Sequence, residues 1–353
     1  METRFLGGTG LRVSVLSFGA MTFGGEGSDF FRPVGTTELD DARRQIDLCL
    51  DAGVNLFDTA DVYSDGRSEE ILGAALGARR GDVILATKLH GATGEGPNER
   101  GQSRYHIVRA VEASLRRLGT DWIDVLQVHA IDGCTDPQET LRALDDLVRA
   151  GTVRYIGCSN FSAWHLMRAL AISGREHLER YRVLQAHYSL IARELEHEHI
   201  PLCLDQGVGV LVWSPLSGGF LTGKVRRDAP APQGSRGAVM GPPGGLASPD
   251  VAFDTVDALV EIAEGRGASP AQVALNWLLA KPGVTSLIVG ARDERQLADN
   301  LAAAGWSLSP EEVARLDAVS ALRLPYPYWH QLRYNAERLP EPWMLERLGR
   351  GER

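Results

Sequence analysis

The chain has 353 residues, 44% of them hydrophobic and 24% charged, a composition typical of a globular protein long enough to bury a large core without disulfide staples. Its formal net charge of −9, with no basic stripe to offset it, argues against a nucleic-acid partner. No apolar run approaches the roughly 18 residues of a membrane-spanning helix, and METRFLGG lacks the basic and apolar regions of a signal peptide, so the expectation is a cytoplasmic protein with no membrane role.

Length alone would allow two domains, although α/β barrels often run long as one. The chain opens on RFLGGTGLRV, a hairpin pattern with apolar arms around Gly7-Gly8-Thr9-Gly10, placed to plug a barrel floor. Short apolar runs then predict strands at 13–18, 54–57, 82–87, 122–128, 153–158, 182–186, 209–213 and 285–290. Helical patterns separate them near 38–52, 67–78, 104–118, 137–149, 162–172 and 194–206. Two more, 251–265 and 269–280, precede the last strand, and 293–303 follows it. Strands buried on both faces and joined by helical crossovers make a parallel sheet. Eight such units, with FGAMTFGG in place of a G-x-G-x-x-G turn after the first strand, suit a closed (β/α)8 TIM barrel better than an open dinucleotide-binding sheet. The whole of 1–353 reads as one domain.

Two stretches break the alternation. Residues 227–249, rich in Pro and Gly, form a long loop after the seventh strand, either a lid or a disordered insertion. The tail from 321 to 353 is unusually aromatic, for packing on the barrel exterior or a partner, or as a wall of the substrate pocket. Cys49, Cys134, Cys158 and Cys203 show no metal or disulfide spacing, and Cys49 and Cys203 read as small buried hydrophobes.

In such a barrel the working face lies at the C-terminal ends of the strands. Asp58 ends the second strand, Tyr63 follows on its loop, Lys88 ends the third and His129 the fourth. Singly, each has an ordinary explanation: a helix cap, a packed ring, a snorkelling cation, a structural donor. Jointly they put an acid, a phenol, an amine and an imidazole around one small volume. A phenol of reference pKa near 10 is a poor acid at neutral pH. An ammonium about 4 Å away, at an effective dielectric of about 20, favours the phenolate by roughly 4 kcal/mol before desolvation opposes it. Lys88 supplies that charge, Asp58 keeps Lys88 protonated, and His129 shares a substrate oxygen with Tyr63. The set is suited to protonating a carbonyl oxygen, and no metal is needed or suggested.

D-x-x-x-x-Y, then Lys, then His at these strand ends resembles the catalytic tetrad of the aldo-keto reductase superfamily. GVNLFDTADVYSDGRSEEILG, RRLGTDWIDVLQVH, GTVRYIGCSNF, SPLSGGFLTGK and IVGARDERQLADN extend the resemblance over nearly the whole chain. The branch resembled contains bacterial reductases and the potassium-channel β subunits. The resemblance implies NADPH (or NADP+) as cofactor and a small-molecule carbonyl compound as substrate.

Matched position by position, Ser159, Asn160 and Gln185 hold the carboxamide, and Trp213 carries the nicotinamide ring. Ser214, Leu216, Gly218 and Lys224 match the pyrophosphate loop, while Gly19 and Thr22 fit a close backbone approach. Gly290 leads into a helix N-terminus where Arg292 would clamp a 2′-phosphate, with Gln296 and Asn300 on the same helix face. Many relatives carry a Lys-Ser pair and a later Arg there instead. His187, just beyond Gln185, faces a phosphate, a purine or water, and the sequence leaves this open. Aromatic residues such as Phe23, Phe30, Phe31, Trp164, Tyr326, Tyr328 and Trp329 are candidate pocket walls. Two functions remain in play: a carbonyl reductase, or a slow cofactor-sensing module of the same fold. Oligomeric state is not readable.

Overall fold

Glycines allow the chain to fold back on itself before it enters the barrel. In the computed structural model, which describes residues 1–227 and 248–339, β1 (Thr3–Phe5) and β2 (Arg12–Ser14) pair antiparallel. Gly7 has φ of 55°, and a Cβ there would lie 2.5 Å from the Gly209 nitrogen, so only glycine fits so close to the barrel base. The hairpin buries Leu6 and Val13 in one apolar cluster with Leu56, Val125, Val183 and Leu211. These four come from barrel strands, so the hairpin closes the floor, as its position in the sequence predicts.

The barrel strands are β3 (Leu16–Gly19), β4 (Leu56–Asp58), β5 (Ile84–Leu89), β6 (Ile123–Val128), β7 (Val153–Ser159), β8 (Val183–His187), β9 (Gly209–Trp213) and β10 (Val284–Val289). Every neighbouring pair is parallel, and β10 pairs with β3 to close the ring. The expected eight-stranded barrel is therefore what the chain forms. Between barrel and helices lies a second, larger apolar layer that includes Phe18, Phe57, Leu72, Ile107 and Trp277.

Three expectations need correction. The strand expected over 13–18 is two strands, broken at Val15. The alternation slips phase where Val15 meets Leu16, two adjacent apolar residues, and the chain bends there. The break is satisfied locally: Ser14 N–H donates to Asn55 Oδ1 at 2.8 Å, and Ser14 Oγ donates to the Leu16 carbonyl at 2.7 Å. The helix expected over 194–206 is a 3-10 turn, Glu194–Glu196, followed by the helix His199–Gln206. Pro201 has no N–H and is tolerated only in a first turn, which sets the start just ahead of it. Two helices were not anticipated, Pro310–Val319 and Tyr328–Asn335.

The loop expected over 227–249 lies outside the described residues except at its ends. Those ends are tied to the helix Pro249–Arg266, where Arg227 pairs with Asp250 and Asp254, each at 2.8 Å. Of the tail, residues beyond 339 also lie outside the described residues. Its helix Tyr328–Asn335 has no buried residue and touches the body through Tyr328, whose hydroxyl donates to Glu198 at 2.6 Å while its ring stacks on His197.

Candidate active site

Parallel strands of matched length bring their C-terminal residues to one rim, and the register decides which side chains meet. Asp58 is the last residue of β4 and lies beside Ala86, while Lys88, in β5, is paired across to Gln127 in β6. His129 follows β6, its N–H extending the ladder to the Leu89 carbonyl at 2.8 Å. Tyr63 opens a 3-10 turn, Tyr63–Gly66, held down where Ser64 Oγ donates to the Phe23 carbonyl at 2.8 Å.

The four predicted side chains do converge. Lys88 Nζ donates to Asp58 Oδ1 at 2.5 Å, to the Thr59 carbonyl at 2.7 Å and to the Tyr63 hydroxyl at 3.3 Å. The His129 ring meets the Tyr63 ring edge-on at 5.7 Å. Lys88 is fully buried. Burial alone would lower its pKa, but the Asp58 carboxylate and the Tyr63 phenol more than offset this and raise it, so the amine is a fixed cation. His129 behaves oppositely. Burial, then the Lys88 and His90 charges, push its pKa down to about 3, leaving a neutral imidazole with one N–H and one acceptor nitrogen.

Asp58 has a further set of partners. Its Oδ2 accepts from Gln127 Nε2 at 3.2 Å and from Gln185 Nε2 at 2.8 Å. Asp58, Gln127 and Gln185 come from β4, β6 and β8, alternate strands that share one layer of the barrel interior. Gln127 was missed by sequence reasoning. A signal was available: VLQVH (125–129) and VLQAH (183–187) repeat the same pattern, placing an amide inside two otherwise apolar strands. Gln185 thus spends its NH2 on Asp58, and only its carbonyl oxygen is left to meet a carboxamide.

The other sequence-predicted residues fall around the same rim. Ser159 ends β7, and its Oγ accepts from Asn160 Nδ2 at 3.0 Å; that amide also donates to the His129 carbonyl at 3.0 Å. Trp213 ends β9 and donates its Nε1–H to Asn160 Oδ1 at 3.0 Å. Beyond it, Ser214 Oγ accepts from the Gly218 N–H at 3.2 Å, Leu216 caps the turn Ser217–Thr222, and Lys224 is exposed. Gly19 ends β3, and a Cβ at Gly290 would lie 3.1 Å from its carbonyl oxygen. Thr22 is buried, with its hydroxyl lacking a hydrogen-bond partner among the described residues.

At the helix Glu294–Ala302 the arrangement differs from the simple picture of an open anion site. Asp293 caps the helix, accepting from Gln296 N at 2.8 Å, and the Gln296 side chain turns back to Asp293 Oδ2 at 2.9 Å. Arg292 donates to the Pro33 carbonyl and, at 3.4 Å, to that of Val34, reaching the loop that carries Phe30 and Phe31. Asn300 is buried one turn beyond Gln296. Of the candidate walls, Phe31 meets the Tyr63 ring edge-on at 6.1 Å, whereas Phe23 is core, packed on Phe18 at 5.5 Å.

Backbone strain gathers at the same rim. Among the described non-glycine residues with positive φ, all but His177 lie in loops that follow barrel strands: Ser64, Asp65, His90, Asn160, Ser214 and Ser217. Such conformations cost energy and concentrate where side chains must be aimed.

The chain is similar to known proteins over most of its length. The chain is 40% identical over 329 residues to a "Probable voltage-gated potassium channel subunit beta" of Oryza sativa subsp. japonica, covering 90% of this chain and 96% of that one. It is 37% identical over 330 residues to the "Uncharacterized oxidoreductase YrpG" of Bacillus subtilis, with the same coverage. To the "Versiconal hemiacetal acetate reductase" of Aspergillus parasiticus it is 36% identical over 338 residues, again covering 90% and 96%. The model of the Aldo/keto reductase family matches residues 15–321, and the chain belongs to that family.

Proposed function

We propose that this protein is an NADP(H)-dependent reductase that turns an aldehyde or ketone into an alcohol, with Tyr63 as the general acid. The observation that carries the reading is the Tyr63 hydroxyl 3.3 Å from a buried Lys88 ammonium that Asp58 holds at 2.5 Å. An oxidoreductase and a reductase among the relatives support the reaction class.

Bound nicotinamide supplies the hydride that adds to the carbonyl carbon. The chain's own groups do the rest. Tyr63 gives its proton to the carbonyl oxygen as charge develops there, and the Lys88 cation stabilises the phenolate left behind. Asp58 fixes the amine and is itself fixed by Gln127 and Gln185. Neutral His129 offers an N–H to the substrate oxygen and so orients it.

The cofactor-facing residues fit such a group. The buried Thr22 hydroxyl, without a hydrogen-bond partner among the described residues, offers a polar atom to such a group just beyond the β3 end. Ser159, Asn160 and the Gln185 carbonyl would take the carboxamide, and the indole of Trp213 the ring. Ser214, Leu216, Gly218 and Lys224 would take the pyrophosphate. Arg292, with Gln296 and Asn300, would take the 2′-phosphate, its guanidinium leaving the Pro33 and Val34 carbonyls to do so.

Tyr63→Phe should retain NADPH binding and lose turnover of a reactive aromatic aldehyde by about 10²–10⁴-fold. Turnover equal to the parent would end the assignment. The channel-subunit names of the rice and Arabidopsis thaliana relatives favour a second reading, a binding module that responds to cofactor redox state. Following NADPH consumption over a panel of carbonyl compounds separates the two: a module gives at most one slow turnover with each.

A further inference from the structure

We propose that His187 is a positioning residue, its imidazole lying flat against one face of the Trp213 indole and fixing the plane on which a nicotinamide ring stacks. The inference rests on the reading of Trp213 given above and assigns the residue that makes that platform rigid. His187 ends β8 and Trp213 ends β9, and the two are direct Cα partners across the parallel ladder. Their ring centroids are 4.5 Å apart with the planes only 18° from parallel.

Two constraints then act on the indole at right angles. Its Nε1–H is tied edge-on to Asn160 Oδ1, itself anchored to Ser159 and to the His129 carbonyl. One bond at one edge leaves a ring free to rock about that edge. The imidazole behind it removes the rocking by filling the space on that side. Trp213 nevertheless remains only half-buried, so the exposure it keeps belongs to the part of the ring that His187 does not cover.

The chemistry of His187 says which of its properties matters. Its Nε2 is buried without a hydrogen-bond partner among the described residues, so that nitrogen brings no bond to offset its own desolvation. Burial also pushes its pKa below the ordinary histidine value, which keeps the ring neutral. What is left is a flat, uncharged face of the right size, and offset stacking between such faces is a specific interaction of aromatic rings.

The test compares NADPH with adenosine 2′,5′-bisphosphate, a probe with the adenosine phosphate end and no nicotinamide, in the full-length protein. His187→Ala should raise the Kd for NADPH about three- to tenfold, the range expected for one stacked pair, and leave the bisphosphate unchanged. His187→Phe should restore the parent value. In the ligand-free protein, the near-UV circular dichroism assigned to Trp213 by difference from Trp213→Phe should weaken in the Ala variant and return in the Phe variant. An unchanged NADPH affinity with an unchanged Trp213 signal would overturn the proposal. So would an equal loss for both ligands, or a Phe variant that fails to restore binding. Trp213→Ala with unaltered NADPH affinity would instead overturn the stacking reading of Trp213, while the ligand-free spectra would still decide whether His187 orients the indole.

Discussion

Asp61, three residues beyond Asp58, is buried, and neither of its carboxylate oxygens is in a well-formed hydrogen bond. Burial, followed by the neighbouring Glu69 carboxylate, pushes its pKa up to about 8, against the pull of Arg117, the Val62 N–H and Lys88. The folded state therefore keeps a proton that the unfolded chain gives up near pH 4. Stability falls as pH rises across that interval and levels off above about 8. Asp61→Asn removes the ionisation, so its advantage over the parent should grow from pH 5 to pH 8, reaching on the order of 2–5 kcal/mol. Parallel melting profiles of the two proteins across that range would refute the assignment. At this scale the sequence was most legible where a polar residue interrupts an apolar run, as at Asp58, Lys88 and His129. It was least legible where polar groups serve one another out of sight. Gln127 looks like an isolated amide until β4 and β8 bring Asp58 and Gln185 against it, a meeting that only long-range pairing creates.

The helix Pro310–Val319 shows how an element can be specified by its first turn. Ser309 accepts from Glu312 N, Glu312 Oε2 accepts from Ser309 N at 2.7 Å, and Pro310 occupies the first helical position. Glu312 also holds Arg266 at the end of the helix Pro249–Arg266. Ser309→Ala should cost about 1 kcal/mol, read as a lowered denaturant midpoint with unchanged slope. No loss at all would mean that packing, not the cap, sets this terminus. The S-P-E-E signature was present in the sequence, yet it falls after the last barrel unit, where alternation no longer calls for a helix. The barrel helices were easier to place because each strand demanded a crossover. Caps sharpened the ends: Ser103 and Asp136 start Arg104–Leu118 and Pro137–Arg149 at the expected residues. The bend at Val15 was passed over for a different reason: the phase slip between Val15 and Leu16 lies inside a run, 13–18, that is buried throughout and reads as one strand.

Across the whole molecule, stability and chemistry occupy opposite ends of the barrel. The floor is apolar and sealed by the hairpin, while the rim carries the charged and strained residues. Leu6→Ala should therefore cost about 2–5 kcal/mol in an unfolding titration while leaving kcat/KM with a carbonyl substrate near the parent value. A comparable loss in both would show that the two ends are mechanically coupled. The closed parallel architecture was legible because eight apolar runs alternate with crossovers and few folds accept that order. The docking of the tail was not, since Tyr328 meets His197 and Glu198 on a loop with no periodic pattern of its own. The sealed floor also governs how a spent phenol is recharged. Lys88 has no exposure of its own, Asp58 has both oxygens engaged, and beneath them lie Leu56, Val125, Val183 and Leu211 with the hairpin as a stopper. With that apolar layer beneath Tyr63, the proposed chemistry would draw every replacement proton through the mouth, and whatever corks that opening would halt renewal as well as entry.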